Sequence, residues 1–71
     1  MALAVVRYRE VDGQGTEDRT ILSSGFGTVT EAREDARRRA EAFGKNGYNG
    51  EQDRWWYRDG DTLYFLTVQI A

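Results

Sequence analysis

The chain contains no cysteine and no histidine. Neither a disulfide nor a zinc site can therefore supply its stability. The same absences remove the commonest general base and a main nucleophile from its chemistry. Its only serines, Ser23 and Ser24, have no imidazole to activate them. Proline is also missing, and no apolar run approaches the roughly 18 residues of a membrane span. The start, Met1 to Val6, lacks the basic region and cleavage pattern of a signal peptide. The expected location is cytoplasmic. Positive charge is also in short supply: ten basic residues against twelve acidic ones leave a formal net charge of -2. That balance opposes general affinity for nucleic acid, which rests on neutralising phosphates.

The 71 residues predict one domain spanning 1–71. So short a chain buries only about 60% of its unfolded surface, which leaves a thin core. Tight packing or association with another chain must supply the rest. Aromatic residues make up 13% of the chain, too many for a disordered one.

The pattern predicts four strands and one helix. Ala2 to Val11 holds Val5, Val6, Tyr8 and Val11 and reads as a strand. Its alternation puts Ala4, Val6 and Tyr8 on one face, and Leu3, Val5, Arg7 and Arg9 on the other. Asp12-Gly-Gln-Gly15 reads as a turn, and Arg19 to Phe26 as a second strand that completes a hairpin. Thr28 followed by Glu31 makes a capping box for a helix reaching Phe43. Val29, Ala32, Ala36, Ala40 and Phe43 fall on one stripe of that helix, and Gly44 is expected to end it. Lys45 to Asp53, with two Asn-Gly pairs, reads as a loop. Arg54 to Arg58 and Asp61 to Ile70 read as strands joined by an Asp59-Gly60 turn of type I′. The expected fold is α+β: a ββαββ order, a four-stranded antiparallel sheet built from two hairpins, and one helix packed on one face.

The Asp59-Gly60 turn predicts Arg58 opposite Asp61, Trp56 opposite Leu63 and Trp55 opposite Tyr64. Trp55, Tyr57, Tyr64, Leu66, Val68 and Ile70 then share the more apolar face, assigned to the helix. Arg54, Trp56, Arg58, Leu63 and Phe65 share the other. One helix covers one side of a sheet, so that second face is left open. Val5, Ile21, Arg7, Arg9 and Arg19 are expected to join it. An exposed apolar patch of this kind marks a contact surface, and Trp and Arg are enriched in binding hot spots. The candidate interface is Trp56, Leu63, Phe65, Arg54, Arg58, Arg7 and Ile21, with Trp56 as anchor.

The remaining motifs read as structure. Gly25-Phe-Gly27-Thr28-Val-Thr30 begins like a dinucleotide fingerprint, but Thr30 stands where its third glycine belongs. Arg37 to Arg39 share their helix with Glu31, Glu34, Asp35 and Glu41, so the run predicts ion pairs at i,i+4. No cofactor or metal is expected. The ββαββ order in about 70 residues resembles small bacterial and phage-encoded families and the layout of some anti-CRISPR inhibitors, a likeness of topology alone. It implies a stoichiometric binder without catalysis. The expected function is a small non-enzymatic binding module acting through protein contacts of the open sheet face, as a homodimer. Two other readings use related surfaces: a single-stranded nucleic-acid binder through the arginine and aromatic face, and an inhibitor of a nucleic-acid-processing complex.

Overall fold

A computed structural model describes residues 2–11 and 15–70. It contains β1 (Leu3–Val11), β2 (Gly15–Phe26), α1 (Val29–Glu41), β3 (Lys45–Asn49), β4 (Arg54–Asp59) and β5 (Thr62–Ile70). The strands form one antiparallel sheet in the order β2-β1-β5-β4-β3. The sheet thus has five strands among the described residues, not the four expected. The extra one is β3, which lies in the segment read as a loop. Its asparagine-glycine pairs favour turns locally, but pairing with β4 from Lys45↔Arg58 to Asn49↔Arg54 makes it an edge strand. The first turn, at 12–15, lies outside the described residues except for Gly15.

The first and last strands pair with each other at the centre, from Leu3↔Ile70 to Arg9↔Tyr64. The helix covers one face of this sheet. Thr28 caps it as the sequence predicts: its hydroxyl oxygen accepts the Glu31 N–H at 3.2 Å. Ala32, Ala36 and Ala40 are buried, and their small side chains let the axis approach Val5, Trp55, Tyr57 and Leu66. Leu22, Phe26, Phe43 and Tyr64 close the margin of this core. Gly44 does not act as the left-handed cap. Instead Ala42 ends the helix in a right-handed conformation, and the Phe43 N–H bonds back to the Ala40 carbonyl at 3.1 Å. Glu34 pairs with Arg38 and Asp35 with Arg39, as the i,i+4 spacing predicts.

The last hairpin turns one residue later than expected. Asp59 pairs with Thr62, so Gly60 and Asp61 form the two-residue turn, with Gly60 at φ 62 in the first central position. Asp61 is not in the left-handed region, so the pattern is type II′ and not I′. Every pair on β5 is therefore displaced by two residues. Trp56 faces Phe65, Trp55 faces Leu66 and Arg58 faces Leu63. An even displacement preserves which side chains share a face, so the expected division of β4 and β5 survives the error in register.

Two carboxylates tie the helix to the sheet. Asp35 accepts a hydrogen bond from the Ser23 hydroxyl at 2.7 Å and pairs with Arg39 at 2.8 Å. Its partial burial pushes its pKa up, but these two partners outweigh burial and hold it below the usual carboxylate value. Asp53 accepts from the Tyr48 hydroxyl at 2.6 Å and from Arg33 at 2.5 Å, and the tyrosine and then the arginine hold it low as well. Both groups bind protons more readily in the unfolded chain. Their contribution is therefore present above about pH 4, the unfolded carboxylate value, and is lost as pH falls through the lower folded values. Urea midpoints should be level between about pH 7 and 5 and drop below about pH 4. Asp53→Asn should flatten part of that drop. A wild-type midpoint unchanged down to about pH 2 would contradict this assignment.

Candidate interaction surface

The face away from the helix is ordered in rows, because directly paired residues on neighbouring strands point the same way. One row runs Gly47, Trp56, Phe65, Tyr8 across β3, β4, β5 and β1. The next, toward the β4–β5 turn, runs Lys45, Arg58, Leu63, and Glu10 extends it on β1. On the other side of the aromatic row lie Asn49, Arg54, Thr67, Val6 and Ile21. Trp56, Arg58, Leu63 and Phe65 line a shallow depression of about 270 Å³.

Glycine is required at the start of the aromatic row. A Cβ on Gly47 would stand 2.6 Å from Trp56 Nε1 and 2.8 Å from its ring carbons. The bare backbone of β3 is thus the shelf on which the indole lies, and Trp56 is half-buried by its own sheet. The neighbouring Trp55 points the opposite way, into the core.

Six of the seven residues expected at this surface share the open face: Trp56, Leu63, Phe65, Arg54, Arg58 and Ile21, the last 47% exposed. Arg7 does not. It pairs with Leu66 on the helix side, and its guanidinium lies 4.9 Å from the Tyr64 ring centroid. Val5 belongs to the helix-side core, and Arg9 pairs with Tyr64 on that same side. The phase of β1 is therefore the reverse of the expected one. Its arginines fit the covered side because they stand toward the C-terminal end of the helix, where long stems run along apolar surface to water. Arg19 does lie on the open face, where it donates to the Gln69 side chain at 3.3 Å.

The open face is partly roofed by its own side chains. The Arg54 guanidinium stacks 3.6 Å from the Phe65 ring centroid, and Phe65 is only 8% exposed. Gln69 donates to the Tyr8 hydroxyl at 2.7 Å and to Thr67 at 3.0 Å, a bridge spanning the row that contains the buried Val6. What remains accessible is centred on Trp56 and Leu63. Sequence reasoning missed four contributors: Gly47, Tyr8, Lys45 and Glu10. The aromatic and β-branched content of β1 marked Tyr8 as a strand residue, but nothing in the chain marked Gly47 as a neighbour of Trp56.

The molecule measures 34 × 23 × 21 Å. Among the described residues there is no group of three or more acidic side chains placed to hold a metal ion, and no helix is long and apolar enough to cross a membrane. Compared with family models, with curated proteins and with solved structures, the chain matches none.

Proposed function

We propose that the protein is a non-enzymatic binding module that self-associates through the open sheet face. The observation that carries this reading is the arrangement of charge about β5. Along the row nearest the β4–β5 turn, cations (Arg58 and Lys45) stand on one side of Leu63 and an anion (Glu10) on the other. A two-fold axis parallel to β5 reverses that order in the second copy. Arg58 then faces Glu10 of the other copy, Trp56 faces Tyr8, and Leu63 meets itself. Symmetric interfaces need this kind of self-complementarity, and aligned packing of two sheets provides it.

Sedimentation of Arg58→Glu, Glu10→Arg and the double variant tests the arrangement. Each single reversal sets like charges together and should weaken the dimer about tenfold. The double variant restores opposite charges and should return to within about threefold of wild type. A wild type that stays monomeric at every concentration, or a double variant as weak as the sum of its parts, removes the proposal.

A second reading is a single-stranded nucleic-acid platform, favoured by the transverse row Trp56, Phe65, Tyr8. Against it, two of the five strand arginines expected on this face lie on the other, and Arg54 already occupies the face of Phe65. Titration with labelled oligonucleotides at two salt concentrations decides it, since phosphate binding falls steeply with salt. The inhibitor reading began from a likeness to the ββαββ layout, from which the fifth strand departs.

A further inference from the structure

On the opposite side of the sheet, at the C-terminal end of the helix, Arg7, Leu22, Arg39, Ala42, Phe43 and Tyr57 line an open cleft of about 280 Å³. It exists because the helix is short. Thirteen residues rise roughly 20 Å, whereas nine-residue strands such as β1 extend roughly 30 Å. The strands therefore run on past the last helical turn. Phe43 stacks on Tyr57 with centroids 4.1 Å apart, Tyr57 stacks on Tyr64 at 5.1 Å, and Arg7 covers the far face of Tyr64. Phe43 and Tyr57 of this ladder form the aromatic part of the cleft wall.

The charges in the cleft do not balance. Arg39 gives its Nε–H to Asp35, but its two terminal nitrogens make no hydrogen bond among the described residues. Arg7 has no carboxylate partner among the described residues, and its Nε is buried without an acceptor. A buried donor without an acceptor is costly, and a guanidinium presents a planar fork suited to carboxylate or phosphate. Two arginines thus line one aromatic and aliphatic cleft, and of the two only Arg39 has a carboxylate partner among the described residues. The volume lies at the small end of ligand sites, which run from about 300 Å³ upward.

We propose that this cleft binds a small planar organic anion, with a carboxylate or phosphate held by Arg7 and Arg39 and an unsaturated body against Phe43 and Leu22. The full chain is titrated with benzoate, phenyl phosphate, inorganic phosphate and benzyl alcohol at constant ionic strength, following the arginine Nε–H resonances by NMR. Benzoate or phenyl phosphate should shift Arg7 and Arg39 saturably, with a dissociation constant on the order of 1 mM. Whichever binds more tightly identifies the head group. Arg7→Gln should weaken binding about tenfold or more. If Arg7→Gln fails to fold by circular dichroism, Arg39→Gln is read in its place, with the same loss expected. The proposal is overturned if neither aromatic anion gives saturable shifts, if inorganic phosphate or benzyl alcohol binds equally well, or if the folded variant keeps wild-type affinity. Because the cleft lies on the other face of the sheet, its failure would leave the proposed dimer untouched.

Discussion

Trp55→Ala is expected to cost about 3–5 kcal/mol of folding stability, the range for removing a buried tryptophan. A domain of this length has on the order of 4–10 kcal/mol in total, so the variant should be partly or wholly unfolded at 25 °C. The reason is position. Trp55 is 8% exposed on β4, faces Leu66 across the ladder and belongs to the cluster formed with Ala36, Ala40, Val5 and Tyr57. Its ring is flanked by Tyr48, with centroids 4.9 Å apart, and by the Arg33 guanidinium at 4.9 Å. Removing the indole leaves a void beside Ala36 and Ala40, which are too small to fill it. It also detaches the aromatic anchor of the Arg33, Tyr48 and Asp53 network. Urea unfolding followed by circular dichroism measures the effect. A loss below about 1 kcal/mol would mean that the helix does not pack on this side of β4.

The adjacent substitution should behave differently. Trp56→Ala is expected to weaken self-association by about 2–4 kcal/mol, roughly 30- to 1000-fold in dissociation constant, as for a central aromatic hot spot. Its effect on the monomer should be clearly smaller than that of Trp55→Ala, because the indole rests on the open face against Gly47. Gly47→Ala disturbs the same contact from the other side. A new Cβ 2.6 Å from Nε1 must displace a rigid ring, so the variant should shift the Trp56 indole N–H resonance and weaken the dimer while leaving the core intact. Sedimentation velocity across a concentration series reads both variants. If Trp56→Ala and wild type associate equally, the open face is not the contact surface. If Trp56→Ala unfolds as readily as Trp55→Ala, the indole has a structural role instead.

The contrast between these two tryptophans was legible from the chain because neighbouring strand residues point to opposite faces. The apolar spacing on β5 then showed which of them goes inside. The same logic failed on β1. Alternation groups Val5 with Arg7 and Arg9, but it does not say which group faces the helix. The arginines suggested solvent, whereas the end of the helix provides a wet margin on the covered side where Arg7 can lie against Tyr64. On β2, register shifts between Leu3 and Ala4 and between Val5 and Val6 break the period altogether. Ser23 consequently turns toward Asp35 on the helix, although the alternation had grouped it with Ile21.

By itself the sequence determined the elements whose cause is local. The helix follows from its capping box and alanine stripe, the last hairpin from its glycine turn, and the division of β4 and β5 into an apolar and a mixed face from a period of two. Tertiary structure decided what depends on partners far apart in the chain: the central pairing of β1 with β5, the conversion of Lys45–Asn49 into an edge strand, the two-residue displacement of the final ladder and the orientation of β1. The physical reason is that a strand completes its hydrogen bonds and its packing only against a neighbour. Its identity, register and inner face are therefore properties of the assembled sheet.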